Sequence, residues 1–265
     1  MIFDNMEVKL HFSRYEFKYI LPYALRKSLE SELQYFVELD PFVADKPGRK
    51  YFVRSLYYDN SCFSNYYEKI DGLMQRAKFR IRTYTNDGCD DCPEFLEVKG
   101  RRNNLVYKHR TKLFNNTQVD DILVDSPPVL PCKTFSSLGR TTNNVVCAVK
   151  DGPIKTKFLY EVFRKNLAPV MLVDYWRRPY VSKYDPEFRL TFDDNLYAAA
   201  AEDLFPAGHI NARALLSGYT ILEVKFRFHI PKWFHRLIQT MELRRVSISK
   251  YCEAIECHGM ADKLE

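Results

Sequence analysis

Long apolar runs are missing from this 265-residue chain: the longest uninterrupted aliphatic patch, Val170 to Val173, stops at Asp174, far short of the roughly 20 residues of a membrane helix. No basic N-terminal stretch leads into an apolar run, so no targeting or anchoring segment is expected, and any membrane link is expected to run through a partner. Glycine is scarce at nine residues, and no repeat, low-complexity tract or Gly/Ser linker interrupts the chain. Collagen-like, coiled-coil and disordered chains are therefore excluded, and one domain over residues 1–265 is expected. The seven cysteines (Cys62, Cys89, Cys92, Cys132, Cys147, Cys252 and Cys257) form no even framework. A chain of this length buries a core without disulfides, so reduced thiols and a cytoplasmic protein are expected.

What is present is 46% hydrophobic residues, with 19 Phe and 18 Tyr giving a β-rich flavour. Lysine and arginine number 40 against 34 acidic residues, a net charge of only +6, yet its location is uneven. Between Arg76 and Lys112 there are ten Lys/Arg and five Asp/Glu, so this stretch supplies +5 of the total. A local anion site follows more readily than a generally basic protein.

Eight runs alternate with period two: residues 10–20, 51–59, 73–85, 93–102, 105–113, 168–181, 187–195 and 218–228. Eight strands suit a closed barrel, with Asn86-Asp87-Gly88 and Asn103-Asn104 as turns of an antiparallel meander. Helices are expected after Pro22 (Leu25, Leu29, Leu33, Val37), after Asn60 or Ser61, from Pro153, from Pro231, and after Ser247 or Ser249. Residues 125–133 and 138–144 read as loops.

Because strand side chains alternate in direction, Arg76, Lys78, Arg80 and Arg82 point one way and Ala77, Phe79 and Ile81 the other. The same division puts Arg14, Glu16 and Lys18 on one face of their strand, as it does Glu97, Lys99 and Arg101; Lys108, Arg110 and Lys112; Arg189, Thr191 and Asp193; and Glu223, Lys225 and Arg227. One wet face is ordinary for an antiparallel sheet. A row of four cations without facing acids, however, costs repulsion, so an anion is expected to fill that face. If apolar faces turn outward under the helices, the cations line a narrow interior suited to a phosphate chain.

The segments Arg14-Tyr-Glu-Phe-Lys-Tyr19, Ser55-Leu-Tyr-Tyr-Asp-Asn60, Lys78-Phe-Arg-Ile-Arg-Thr-Tyr84, Phe95-Leu-Glu-Val-Lys99, Tyr175-Trp-Arg-Arg-Pro-Tyr180, Arg189-Leu-Thr-Phe-Asp193, Ile221-Leu-Glu-Val-Lys225 and Ser249-Lys-Tyr251 occur in that order. Together they resemble the polyphosphate polymerase domain of the vacuolar transporter chaperone (VTC) type, within the triphosphate tunnel enzymes. The resemblance implies an α+β fold: an eight-stranded antiparallel β-barrel tunnel with flanking helices, using ATP as phosphoryl donor, inorganic polyphosphate as product, and Mn2+ or Mg2+ as cofactor. It implies Lys18, Arg80, Arg82, Lys99, Lys108, Arg177, Arg189, Lys225 and Lys250 as phosphate-gripping catalytic residues and Glu223 as metal ligand. Lys78, Arg110, Glu97 and Glu16 join the binding set. For Arg177 the motif leaves Arg178 as an alternative. The chain has no room for the inositol-phosphate-sensing domain and membrane segment of eukaryotic members, so a bacterial-style soluble protein is expected.

Two other functions compete. Related tunnel enzymes hydrolyse triphosphates with a Glu-x-Glu-x-Lys element, whereas this chain reads Arg14-x-Glu16-x-Lys18, trading a metal ligand for an anion contact. A non-catalytic polyphosphate binder is the other reading. No nucleic-acid partner is expected, because the aromatics Tyr15, Phe17, Phe79 and Phe226 share the face opposite the cations. Cys89-Asp-Asp-Cys92 has no second ligand pair for zinc and reads as a hairpin tip. Glu16, Glu97 and Asp193 are each as readily salt-bridge partners as metal ligands, the histidines read as core or surface residues, and Tyr57 reads as packing.

Overall fold

A computed structural model describes residues 15–88, 92–102, 105–113 and 140–261. Arg14, Cys89, the Asn103-Asn104 turn and the loop over 125–133 lie outside the described residues. Ten strands form one antiparallel sheet: β1 (Tyr15–Pro22), β2 (Val37–Leu39), β3 (Tyr51–Asp59), β4 (Gln75–Thr83), β5 (Phe95–Arg102), β6 (Leu105–Lys112), β7 (Ala168–Ser182), β8 (Arg189–Ala200), β9 (Arg213–Leu215) and β10 (Tyr219–Phe226). The eight long runs appear where the alternation puts them, with two short strands added, β2 on β7 and β9 on β8.

The expected closed barrel is not formed. The path runs β1-β10-β8-β7-β3-β4-β5-β6, and its ends do not pair. Each end meets a different segment instead. Along β1, Val246 N–H donates to the Lys18 carbonyl and Arg245 bridges Tyr19. Beyond β6, Leu113 bridges Val149. Those contacts occupy the β1 edge at Lys18 and Tyr19. The sheet is nonetheless curled, since Lys99 of β5 reaches Glu16 of β1 at 3.3 Å although five strands lie between them along the path.

Among the described residues six helices flank the sheet: α1 (Tyr23–Leu33), α2 (Ser64–Ile70), α3 (Arg140–Ala148), α4 (Pro153–Lys165), α5 (Lys232–Thr240) and α6 (Lys250–Cys257). Helix α3 replaces the expected loop over 138–144, because Val145 and Val146 bury against β3, β4 and β5 together with Phe158 and Val162 of α4. Val37 leaves the expected first helix for β2, pairing with Ser182. On the outer face of β1, β8 and β10, Leu29 and Leu33 of α1 and Phe234 of α5 cover Leu190, Phe192, Leu222 and Val224. A third cluster holds α6, whose Tyr251, Cys252, Ala254 and Ile255 pack on Tyr57, Met171, Val173 and Tyr175. Gly100 allows the sheet to be covered closely on its outer side, since a Cβ there would lie 2.0 Å from the Tyr107 ring.

Fully buried Asp59 locks α6 in place. It accepts the Tyr251 hydroxyl at 2.6 Å and the backbone N–H groups of Asn60, Asn65 and Tyr66, so one carboxylate ties the end of β3 to the starts of α2 and α6. Cys92 and Cys147 are each disulfide-bonded, which corrects the expectation that every thiol is reduced, while Cys62, Cys252 and Cys257 are free.

Candidate active site

Strand parity brings the charged side chains together, and register sets their order. Lys18 of β1 pairs with Glu223 of β10, Arg177 of β7 with Asp193 of β8, and Arg80 of β4 with Glu97 of β5, which in turn pairs with Arg110 of β6. The β4 row thus does have a facing acid, and the expected uncompensated repulsion is relieved at Arg80.

Two ion clusters result. In the first, Glu97, only 1% exposed, lies 2.7 Å from Arg80, 2.9 Å from Lys108, 3.7 Å from Arg82 and 3.8 Å from Arg110. In the second, Arg177 donates two hydrogen bonds to Asp193, at 2.6 and 2.7 Å, and one to Glu223 at 3.0 Å. Lys250, at the first turn of α6, bridges Asp193 at 2.6 Å and Glu223 at 3.0 Å. Lys225 and Lys18 stand 3.6 and 3.7 Å from Glu223. Glu16 joins the clusters, 3.3 Å from both Lys18 and Lys99.

The remaining sequence-derived residues sit at the margins. Lys78 donates to Ser249 Oγ at 3.2 Å and lies 3.2 Å from Cys252 Sγ. Arg189 pairs with Lys225 in register and donates to the Pro186 carbonyl, at 3.5 Å. Arg177 and Arg178 part company: Arg177 joins the clusters, whereas Arg178 donates to Glu30 and to the Gly48 carbonyl. Four neutral groups escaped the sequence reading. Arg82 donates to Ser55 Oγ (3.0 Å) and the Tyr175 hydroxyl (3.3 Å), Arg80 donates to the Tyr57 hydroxyl (2.9 Å), and Tyr251 stacks on Tyr57 with centroids 5.2 Å apart. Parity held the signal, since Ser55 and Tyr57 pair with Arg82 and Arg80.

Eleven cations (Lys18, Lys78, Arg80, Arg82, Lys99, Lys108, Arg110, Arg177, Arg189, Lys225, Lys250) thus share this face with four carboxylates (Glu16, Glu97, Asp193, Glu223), a formal excess of +7 among these residues. The field shows in the titrations. Burial pushes the Glu97 carboxyl up, but Arg80, Arg82 and Lys108 outweigh it and hold it far below the usual range. Glu223 is depressed in the same way, burial being overcome by Lys250, Arg177, Lys18 and Lys225, and Glu16 falls to about 2. Burial lowers Lys108 to about 8 despite Glu97, with Arg80 adding to the drop. Tyr57, raised by burial and lowered more strongly by Arg80 and Arg82, comes down to about 8.

A pH dependence follows. Lys108 loses a positive charge and Tyr57 gains a negative one as pH rises through about 8, so both changes repel an anion. Tripolyphosphate affinity measured by calorimetry is expected to fall between pH 7 and 9, by up to about ten-fold per pH unit for each group. Lys108→Arg, which keeps its charge, should remove part of that fall. A flat profile in the wild-type protein would place Lys108 away from the anion.

The donor set for a metal consists of hard carboxylate oxygens, which suits Mg2+ or Mn2+. Glu16 and Glu223 flank the same Lys18 ammonium, while Asp193 is held by Arg177 and Lys250. Among the described residues no three His, Cys, Asp or Glu side chains converge as a metal site. An ion here would draw on Glu223, with Glu16, and on the substrate's phosphate oxygens, the usual arrangement for magnesium bound with a nucleotide. The residues fit such an ion. Among the described residues no helix is long and apolar enough to cross a membrane.

The chain is similar in structure to a protein of Pyrococcus horikoshii (TM-score 0.45, 11% identity, covering 92% of this chain and 99% of that one). It is also similar to a protein of Bacillus halodurans (0.43, 11%, 90% and 96%) and to the mimivirus capping-enzyme triphosphatase (0.32, 8%, 86% and 88%). No curated protein matches. The VTC domain model matches residues 13–258, and with nearly the whole chain covered, the protein belongs to the VTC domain family.

Proposed function

We propose that the chain is an ATP-dependent polyphosphate polymerase, moving the γ-phosphoryl group of ATP onto the terminal phosphate of an inorganic polyphosphate chain lying along the cationic face. The observation that carries this reading is the gathering of eleven cations from seven strands and one helix around only four carboxylates. Such a face matches a linear anion many charges long, and each bound phosphate takes over hydrogen bonds that the carboxylates now accept.

Phosphoryl transfer passes through a loose transition state, so positioning and charge stabilisation do most of the work. Arg80, Arg82, Lys108 and Arg110 hold one run of phosphates, and Lys18, Arg177, Lys225 and Lys250 hold the other. Lys99 joins them, and Lys78 and Arg189 extend the track. The terminal phosphate oxygen of the acceptor attacks Pγ, the Pγ–O bond to the β-phosphate breaks, and ADP leaves. The attacking oxygen is already anionic at neutral pH, so no general base is required. A divalent cation at Glu223, aided by Glu16, would neutralise charge on the transferred group. Where related hydrolases carry Glu-x-Glu-x-Lys, this chain reads Arg14-x-Glu16-x-Lys18, one carboxylate fewer for a second ion of the kind that activates water, which favours transfer over hydrolysis.

The test is incubation of the purified protein with ATP and Mn2+, with polymer resolved on a gel and free phosphate counted. Polymer with matching ADP is expected. Free phosphate alone would make the enzyme a triphosphatase, and neither product would leave an anion-binding module.

A further inference from the structure

The two ends of the cationic face differ. At the end of β3, Asp59 and Tyr57 hold Tyr251 of α6, and that helix covers the face. Tyr51, at the start of β3, lies eight residues away, about 26 Å along a strand. There the lining changes from cations to rings. Tyr84 stands two residues past Arg82 and Phe95 two before Glu97, so both share the cation parity, and Tyr51 pairs with Arg177. Centroids run Phe42 to Tyr51 at 5.3 Å, Tyr51 to Tyr84 at 5.7 Å and Tyr84 to Phe95 at 6.1 Å. Arg110 sits over Phe95, with its Cζ 3.4 Å from the ring centroid and 5.4 Å from that of Tyr84.

Tyr51 and Tyr84 pack at the margin of the cluster that holds α6, and the arc is not fully buried. Tyr51, Tyr84 and Phe95 are half-buried, Phe42 is 56% exposed, and the Arg110 side chain retains 36% exposure, so the arc, whose rings meet one another edge to face, is open to a ligand. A phosphate chain has no use for them, because ring faces carry negative charge density and repel anions. A flat, uncharged aromatic group gains from both the rings and the guanidinium plane.

We infer that the Phe42–Tyr51–Tyr84–Phe95 arc, with Arg110, is the nucleobase platform, so that the nucleotide enters at the end away from α6 with its triphosphate directed to Arg80, Arg82 and Arg177. This rests on the reading of ATP as donor. It reverses, at this end, the expectation that aromatics keep to the face opposite the cations.

The test compares ATP with inorganic tripolyphosphate, titrated calorimetrically into the full chain without divalent metal so that nothing turns over. Tyr84→Leu is expected to weaken ATP by about ten-fold, within the range of base–aromatic stacking, while tripolyphosphate binds as before. Phe42→Ala, an exposed position that spares the fold, should show the same selectivity to a smaller degree. Equal losses for both ligands, or none for either, overturn the platform. Wild-type protein that binds tripolyphosphate but not ATP also overturns it while leaving an anion track, whereas failure to bind tripolyphosphate defeats the proposed function itself.

Discussion

Glu223→Gln is expected to lose metal-dependent turnover by at least about 100-fold while binding tripolyphosphate more tightly than the wild type. The side chain keeps its shape but loses its charge, and that charge is now shared by Arg177, Lys250, Lys225 and Lys18 within 3.7 Å. Removing one partner from a buried ion cluster costs about 3–5 kcal/mol when the others are left unpaired. Here Arg177 and Lys250 retain Asp193, so the loss should fall near the lower bound. The unliganded variant should therefore unfold at lower denaturant concentration, and added tripolyphosphate should raise its midpoint more than that of the wild type, since the anion takes over the freed cations. Retained turnover in the variant would move the metal ligand elsewhere. An unchanged midpoint would mean that the cluster contributes little to folding.

The strands were legible because parity is a local property. Arg76, Lys78, Arg80 and Arg82 alternate with apolar residues whatever the rest of the chain does, and the outward burial of Phe79 and Ile81 follows. Closure was not legible, because it depends on which segment reaches the β1 edge, and Arg245-Val246 has no strand pattern to announce it. Helix α3 was hidden for a similar reason: Thr141, Asn143 and Asn144 are weak helix formers, and the helix rests on tertiary burial of Val145 and Val146. The motif placed Arg177, Glu223 and Lys250 in one set, and the structure brings these three together. The aromatic arc was missed because its rings come from four separate segments and meet only once β3, β4 and β5 are in register.

Glu97→Gln should separate charge balance from chemistry. Among the described residues Glu97 is the sole carboxylate ion-paired with Arg80, Arg82, Lys108 and Arg110, and none of these four pairs involves the carboxylates proposed to hold metal. Its folded-state proton affinity is depressed, so its pairs stabilise the fold above the ordinary carboxylate range near pH 4.5 and lose that contribution as pH falls below it. Neutralising it should therefore destabilise the empty protein by about 3 kcal/mol or more at pH 7, a penalty that shrinks in acid, where the wild-type carboxylate protonates too. At the same time four cations lose their internal competitor, and tripolyphosphate affinity should rise about ten-fold. Turnover is expected to drop less than in Glu223→Gln and through a different step: product held more tightly leaves more slowly, so kcat falls while single-turnover transfer keeps its rate. Weaker tripolyphosphate binding in Glu97→Gln would mean that the carboxylate orders the cations rather than competing with the substrate for them.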